Sequence, residues 1–447
     1  MKNSNQWSSK LGFILASAGA AIGLGAIWKM PYETGENGGG AFFLVFVLLT
    51  LLIGLPMLLS EYIIGRSTQK EAITAYKILT PGSKAWPWIG KIGVIGCFLL
   101  LSFYSVVGGW IFIYSAESVV GNVITPTMDP GAYFNHIIGT PWIACIGLGL
   151  FTLVNVIVIA LGVQNGIEKA NKFMMPLLFI MFIILVIRAL TLDGAWEGVT
   201  FFLQPDFSQI TGQSILYALG QSFFALAVGF SCLVTYSSYL KKDVSLPSSA
   251  GSVVLLTLFV SLLAGLAIFP VVFTFGMDPA SGPGLLFMVL PAAFGQLPFG
   301  EVFLALFLLL FLFATLTSSF SLYEIIVAAI IEKFNISRVK ISIILGIVVF
   351  FAAVPALLSY STLSDVSIFG RSIFDATDFL VSNVLLPLGN FLIAIFIIYA
   401  MDRRIVKKEL LTGSKMNDGY YNTFIFLMQY IVPVVILVVL IYSLLAW

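Results

Sequence analysis

The feature that most constrains this chain is a series of long apolar runs, of which "FFLVFVLLTLLIGLPMLL" at residues 42–59 is one. A run of about 20 apolar residues can cross a lipid bilayer as a helix. Lipid offers the backbone no hydrogen-bond partner, so spanning segments are helices or closed barrels, and runs of this length favour helices. The sequence therefore predicts an all-α polytopic membrane protein with eleven transmembrane helices. They are placed at residues 11–35, 41–65, 88–118, 141–160, 166–190, 212–240, 249–275, 299–331, 339–358, 373–400 and 423–446.

Composition narrows the class of function. The chain is 60% hydrophobic and only 10% charged, which no soluble domain matches. A net charge of +1 gives no signature of nucleic-acid binding. There is no nucleophile–base pair, metal cluster or phosphate loop, so we do not expect an enzyme. A channel needs a continuous polar path, whereas polar residues here are confined to breaks within the spans. The expected partners are the bilayer and a small-molecule substrate, and no feature indicates an oligomeric state.

The basic residues indicate the orientation. With the N-terminus inside, all of the 22 lysines and arginines except Lys29, Arg188 and Arg371 fall on the cytoplasmic side. Cytoplasmic loops are enriched in lysine and arginine. The sequence predicts a single transporter domain over residues 1–447 in the cell membrane, with a cytoplasmic N-terminus and an external C-terminus.

Two of the spans are interrupted. Span one carries glycines at 19, 23 and 25, and span six contains "ALAVGFS" with a weaker interruption at Gly229. Each begins a set of five spans, and because five is odd the second set enters the membrane from the opposite side. This predicts an inverted repeat, residues 8–190 and 212–401, with an extra helix at 423–446. Broken helices at matching positions indicate a midplane binding site. The alternative is that Gly19 and Gly23 form a GxxxG packing pair.

Seven motifs, in order, cover nearly the whole chain. They are "WSSKLGFILASAGAAIGLGAIWKMPYETGENGGGAF", "GLPMLLSEYIIGR", "SFYSVVGGW", "GVQNGIEKANKFMMP", "QSFFALAVGFSCLVTYSSYL", "LFATLTSSFSLYE" and "FDATDFLVSN". The chain resembles the neurotransmitter:sodium symporter family, of the bacterial amino-acid transporter type. The resemblance implies a secondary active symporter that works by alternating access.

The resemblance also implies a sodium site, the family's second. Its ligands are three backbone carbonyl oxygens and two side-chain hydroxyl groups. The matching positions are Gly19, Ile22 and Ala314 for the carbonyls and Thr317 and Ser318 for the hydroxyls. Without the resemblance, "TLTSS" would be read as hydroxyls bonded back to their own helix.

Two further ion sites of the family are expected to be degenerate. At the first sodium site, apolar Ala26, Ala225 and Leu256 stand where the family has polar ligands. A cation placed against methyl groups is costly to desolvate. The chloride positions match Phe46, Gln221, Ala225 and Val260, of which only Gln221 is polar. One sodium ion is therefore expected, and chloride binding is not.

The resemblance implies a pocket for an apolar or aromatic amino acid. Helix ends would bind its carboxylate with help from Tyr104, carbonyl groups would bind its ammonium, and the remaining wall is apolar. Gly23 stands where monoamine transporters carry an aspartate, which favours a substrate with its own carboxylate. The predicted pocket residues are Ala21, Gly23, Leu24, Gly25, Leu100, Tyr104, Phe224, Ala225, Ala227, Phe230, Ser318 and Leu322.

Gates are implied on both sides of that pocket. Lys29 and Asp378 match the outer gate, with lysine replacing the family's usual arginine, and Trp7, Ser238, Tyr239 and Glu332 match the inner gate. The inner gate's usual basic partner is replaced by Ser4, so Lys2 or Lys10 would have to substitute. Gly166 and Pro176 would let span five unwind at its inner end.

Two glutamates lie within the predicted spans, and the role of one of them leaves two coupling ions open. Glu61 is expected to cap the unwound part of span six, whereas Glu324 could either bond within the inner pathway or carry a proton. A proton-coupled or sodium-independent transporter of an amino acid, or of a related small organic molecule, is therefore the rival to sodium symport.

Overall fold

The structure, a computed structural model, describes residues 6–123, 129–280 and 286–445. Helices account for nearly all regular structure in these residues. Those of the first half are α1 (Lys10–Ala21), α2 (Gly25–Glu36), α3 (Gly40–Thr68), α4 (Ala72–Leu79), α5 (Pro87–Val120), α6 (Pro130–Gly139), α7 (Pro141–Ala160), α8 (Val163–Leu190) and α9 (Ala195–Leu203). Those of the second half are α10 (Gly212–Ala225), α11 (Cys232–Ser238), α12 (Leu246–Thr274), α13 (Val289–Phe294), α14 (Gly300–Phe334), α15 (Arg338–Leu358), α16 (Ile373–Ala400), α17 (Arg403–Leu411) and α18 (Asp418–Leu445).

Nine of these helices are long and apolar enough to cross a membrane, and α1 with α2 forms a tenth candidate, bent by 53°. This count covers the described residues alone. It confirms the predicted all-α membrane class. The pair α10 and α11 occupies the place of the predicted sixth span, but each helix is short and six residues separate them. The total of eleven spans therefore stays a prediction.

Local sequence explains where several helices begin. Ser9 caps α1, Asp129 caps α6 and Ser245 caps α12, each side chain accepting from a backbone N–H of the first turn. Proline follows the cap within the first turn of α6 and α12, where it costs no helical hydrogen bond. Large apolar side chains remain exposed on one face of α8, as at Ile180 and Ile187. That face is suited to lipid.

The bundle is built around the two interrupted helices. The helix α1 packs against α8, α12 and α14, while α11 packs against α3. The two longest helices, α5 and α14, pack extensively against each other. The broken segments are therefore enclosed by other helices, which is where non-helical backbone can exist at membrane depth.

The second break is longer than the sequence suggested. Residues 226–231 are not helical, and the backbone has positive φ at Ala227 (52°), Gly229 (108°) and Ser231 (59°). Positive φ is easy for glycine but uncommon for alanine and serine. A side chain on Gly229 would also lie 2.4 Å from the Asn390 amide nitrogen. Close packing thus favours glycine at this position.

Candidate substrate and ion site

The two breaks line one cavity of about 450 Å³. Its wall also includes residues of α5, α14 and α16, so five parts of the bundle converge on it. The lining residues are Ala20, Ala21, Gly23, Leu24, Gly25, Leu100, Tyr104, Phe224, Ala227, Phe230, Cys232, Ser318, Ser321, Leu322 and Leu386.

All the predicted pocket residues except Ala225 line this cavity. The Ala225 side chain belongs instead to an apolar cluster with Phe42 and Phe46. Sequence reasoning missed four lining residues, namely Ala20, Cys232, Ser321 and Leu386. Ser321 could have been found, since it lies three residues after Ser318 on the same helix face.

Polar groups gather at Gly23, at one end of the cavity. A side-chain carbon on Gly23 would lie 2.2 Å from the Ser318 hydroxyl oxygen and 2.8 Å from that of Tyr104. The adjoining helix α2 begins at Gly25 without a side-chain cap, and uncapped N–H groups at a helix start attract anions. This end of the cavity can therefore bind a carboxylate.

The rest of the wall is apolar apart from Ser321 and Cys232, and Phe224 forms part of its lid. Phe224 and Leu24 line both this cavity and a second one of about 770 Å³ beyond them. Most of the second cavity's wall is aromatic, with Trp110 stacked on Phe374 at 5.8 Å between ring centroids. Phe224 and Leu24 therefore lie between the first cavity and this outer space.

The predicted ligands of the second sodium site lie close together. The Ser318 hydroxyl lies within hydrogen-bond distance of the Gly19 carbonyl, at 3.0 Å, and of the Ala20 carbonyl, at 2.9 Å. The Thr317 hydroxyl donates to the Ala314 carbonyl at 3.0 Å. Ile22 caps the C-terminal end of α1, directly after its last residue, Ala21. Gly19, Thr317 and Ser318 thus lie together between α1 and α14, with the Ala314 carbonyl one turn earlier on α14.

The positions of the first sodium site and of the chloride site have few polar groups. Ala26 and Val260 are buried, and Phe46 shares the apolar cluster of Ala225. The Gln221 amide donates to the Gly25 carbonyl at 2.5 Å. Leu256 is only half-buried.

The predicted outer-gate residues face each other. The Lys29 ammonium lies 3.4 Å from an Asp378 carboxylate oxygen and 4.7 Å from the centre of the Phe224 ring. The Ser382 hydroxyl donates to the same Asp378 oxygen at 2.6 Å. This pair therefore sits directly over the lid of the pocket.

The predicted inner-gate residues divide into two groups. The Trp7 indole donates to the Tyr236 carbonyl at 2.7 Å, and the Trp7 backbone N–H donates to the Tyr239 carbonyl at 3.2 Å. Ser238, Tyr239 and Glu332 line a cavity of about 850 Å³. Glu332 pairs with Lys70 at 2.5 Å, and both side chains are substantially exposed.

Lys70 was not anticipated as the partner of Glu332. Lys10 instead donates to the Ser248 hydroxyl, so the suggestion that it replaces the missing basic partner was wrong. The other candidate, Lys2, lies outside the described residues, as does Ser4.

A buried ion pair closes the same side. Arg338 donates to both carboxylate oxygens of Glu324, at 2.6 and 2.8 Å, and the Tyr239 hydroxyl donates to Glu324 at 2.8 Å. Glu324 is fully buried. Of the two roles open for Glu324, bonding within the inner pathway agrees with this geometry. Arg338 was missed because it lies in a different helix and no sequence spacing relates it to Glu324.

Glu61 holds the second break from α3. Its two carboxylate oxygens accept from the backbone N–H groups of Gly229, Ser231, Leu233 and Val234 at 2.7 to 3.3 Å. These donors include the uncapped start of α11. The predicted capping role of Glu61 is confirmed.

Comparison with known proteins agrees with this architecture. The sequence model of the sodium:neurotransmitter symporter family matches residues 4–127 and 139–447. A sodium-dependent transporter of Bacillus subtilis (strain 168), YhdH, is 51% identical over 97% of this chain and 96% of its own length. A sodium-dependent transporter of Haemophilus influenzae is 40% identical over 99% of each chain.

Among solved structures, MhsT in complex with L-phenylalanine superimposes with a TM-score of 0.91. It is 40% identical to this chain, and the match covers 98% of this chain and 99% of MhsT. Members of the matching family are transporters and not enzymes. The chain therefore belongs to the sodium:neurotransmitter symporter family.

Proposed function

We propose that this protein imports an apolar or aromatic amino acid together with a single sodium ion, by alternating access. The observation that carries the proposal is the cavity at which both helix breaks meet, polar around Gly23 and mostly apolar elsewhere. An α-carboxylate would bind at the start of α2 beside Tyr104, and the side chain would lie against Leu100 and Phe230. The similarity to MhsT, whose structure holds L-phenylalanine, supports this class of substrate.

The proposed sodium site is the cluster of Gly19, Ile22, Ala314, Thr317 and Ser318. Carbonyl and hydroxyl oxygens suit a hard cation. The hydroxyl groups now bond to carbonyls in the same cluster, so an ion would replace hydrogen bonds with ion–oxygen contacts. The ligands come from α1 and α14, and sodium would therefore tie the broken helix to its neighbour.

A second sodium ion and a chloride ion are not part of the proposal. The side chains of Ala26 and Ala225 offer no oxygen, and Gln221 already bonds to the Gly25 carbonyl. Sodium dependence runs through the family, which favours sodium over a proton as the coupling ion. Glu324, the candidate proton carrier, forms an ion pair with Arg338.

Alternating access would operate through the two gates. The Lys29–Asp378 pair lies on one side of the pocket, and the Glu324–Arg338 pair with Trp7 lies on the other. The orientation that we propose has the N-terminus in the cytoplasm and the C-terminus outside, in the cell membrane. Import then means opening first at Asp378 and later at Glu324.

Uptake by purified protein in proteoliposomes tests this function. Labelled L-phenylalanine should accumulate when sodium is high outside, and replacing sodium with choline should abolish accumulation. L-Aspartate, which would place a second carboxylate against the apolar wall, is the control substrate and should not be accumulated. Equal uptake in choline would contradict sodium coupling, and equal uptake of L-aspartate would contradict the proposed specificity.

A further inference from the structure

A buried amide beside the proposed sodium ligands has one unused acceptor. Asn171 of α8 is fully buried, and its amide nitrogen donates to the Ile167 carbonyl at 2.9 Å. Its amide oxygen accepts no hydrogen bond from any described residue. Leaving a buried polar atom without a partner costs about 1–3 kcal/mol, so its position calls for a partner.

The unpaired oxygen is aimed at the proposed sodium site. A side-chain carbon on Gly19 would lie 2.0 Å from this Asn171 oxygen and 3.0 Å from the β-carbon of Thr317. Gly19 and Thr317 are both proposed ligands, so α1, α8 and α14 meet within one small volume. Because the Asn171 nitrogen is held by Ile167, the amide cannot easily turn its oxygen away.

The same amide is connected to the inner end of α8. Ile167 belongs to the π-helical turn Val163–Glu168 with which α8 begins. This turn also holds the N-terminal segment, since Glu168 accepts from the backbone N–H of Ser8 at 2.8 Å and pairs with Lys172 at 2.7 Å. Single π-helical turns are frequently found at functional sites.

We infer that Asn171 is a further sodium ligand, through its amide oxygen, and that it links the ion to the turn Val163–Glu168. The inference rests on the proposed sodium site. When sodium is bound, the amide oxygen holds the ion while the amide nitrogen holds Ile167, so the turn stays formed. When sodium leaves, the oxygen again lacks a partner, and the turn and the attached N-terminal segment are released more easily.

Sodium titration of purified protein tests the ligand role. The readouts are sodium-dependent binding of labelled L-phenylalanine and sodium-dependent thermal stabilisation without amino acid. Asn171→Leu removes the oxygen and should raise the half-saturating sodium concentration about tenfold, the effect of losing roughly one hydrogen bond to a charged group. Asn171→Asp keeps an oxygen and should bind sodium at least as tightly as the unaltered protein.

Asn155 provides a matched control. It is also fully buried and also donates to the carbonyl four residues earlier, Phe151, at 2.9 Å, but its oxygen accepts from the Ser319 hydroxyl. Asn155→Leu should lower stability without changing the sodium concentration for half-saturation. If Asn171→Leu does not fold, Asn171→Ala removes the same oxygen without adding bulk and should give the same shift.

Hydrogen–deuterium exchange tests the link to the turn. Sodium should slow exchange of residues 163–168 in the unaltered protein, and it should lose this effect in both Asn171→Leu and Asn171→Asp, because neither side chain can donate to Ile167. An unchanged sodium titration in Asn171→Leu, or sodium protection of the turn in Asn171→Asp, would overturn the inference.

The double variant Thr317→Ala/Ser318→Ala separates this inference from the proposed function. If the double variant loses its sodium response while Asn171→Leu keeps it, the sodium site stands and only the role of Asn171 is wrong. If sodium has no effect even on the unaltered protein, the proposed function itself is wrong.

Discussion

At the scale of single residues, Ser318 connects the proposed ion site with the proposed substrate pocket. Its hydroxyl lies within bonding distance of the Gly19 and Ala20 carbonyls and also lines the cavity near Gly23. Neighbouring Thr317 is directed toward the Ala314 carbonyl. Two adjacent hydroxyls therefore reach different carbonyls of one cluster.

Removing both hydroxyls should strongly weaken the response to sodium. In Thr317→Ala/Ser318→Ala, two ion ligands are lost. The apparent sodium affinity, measured through sodium-stimulated L-phenylalanine binding, should therefore fall by at least about a hundredfold. Equilibrium binding at increasing sodium measures this. Thr315→Ala is the control, because Thr315 is equally buried on α14 but donates to Phe311, which is not a proposed sodium ligand. A double variant that responds to sodium like the control would remove these hydroxyls from the site.

Individual site residues differed in how well the sequence predicted them. Gly23, Tyr104 and Ser318 belong to motifs that resemble the family, and all three line the cavity. Arg338 and Asn171 were missed because their importance depends on what faces them across helices. An arginine at the start of α15 and an asparagine within α8 have no sequence periodicity that indicates those contacts.

At the scale of elements, the non-helical break between α10 and α11 depends on a carboxylate from α3. Glu61 accepts four backbone N–H groups there. Backbone donors that are buried without partners are costly. By pairing these donors, Glu61 therefore stabilises the unwound segment in the membrane interior.

Replacing Glu61 with glutamine should destabilise the protein by about 2–5 kcal/mol. Glutamine keeps one acceptor oxygen but turns an N–H₂ group toward backbone N–H donors, so about two donors lose their partner. Thermal unfolding in detergent, followed by tryptophan fluorescence, measures this. Glu301→Gln, at an exposed position of α14, should change stability by less than about 0.5 kcal/mol. Equal unfolding of the two variants would show that the carboxylate is dispensable.

The two breaks were unequally visible in the sequence. Three glycines within seven residues marked the first, and α1 indeed ends at Ala21. The second extends over residues 226–231 and includes positive φ at Ala227 and Ser231. Alanine and serine give no local sign of this conformation, since Glu61, distant in sequence, stabilises it. Long apolar runs located the other helices well because lipid alone demands them.

At the scale of the whole molecule, the two proposed gates hold ion pairs of unequal strength. The inner pair, Glu324 with Arg338, is bidentate and buried. The outer pair, Lys29 with Asp378, is single and longer, at 3.4 Å. Lysine acts as a point charge and lacks the fork of arginine. We therefore expect the outer gate to open more easily than the inner gate.

Substitutions at the two gates should shift the molecule in opposite directions. Arg338→Gln leaves Glu324 buried without its charge partner, so hydrogen exchange should rise in residues 163–168 and in α11. Asp378→Asn weakens the outer pair, so exchange should rise in α2 and α10, and transport should fall more than equilibrium binding. Asp418→Asn is the control, because its pair with Lys407 is exposed and lies outside both gates, and such pairs contribute at most about 1 kcal/mol. Increased exchange on the same side in both gate variants would contradict their assignment as opposing gates.

The number of coupled ions determines how far the whole transporter can concentrate its substrate. Ala26 and Ala225 offer no side-chain oxygen, and Glu324 is held in an ion pair, so we expect one sodium ion and no proton per amino acid. With voltage clamped to zero, a tenfold sodium gradient should then concentrate L-phenylalanine about tenfold at equilibrium, against about a hundredfold for two sodium ions, because each coupled ion contributes the same free energy of about 1.4 kcal/mol. Proteoliposomes with equal potassium on both sides and valinomycin supply this condition. Imposing a pH difference of one unit should leave the final ratio unchanged.

A hundredfold ratio without pH dependence would mean that backbone carbonyls and the substrate carboxylate suffice for a second sodium. A ratio that follows the pH difference would assign the proton to Glu324 or another buried carboxyl group.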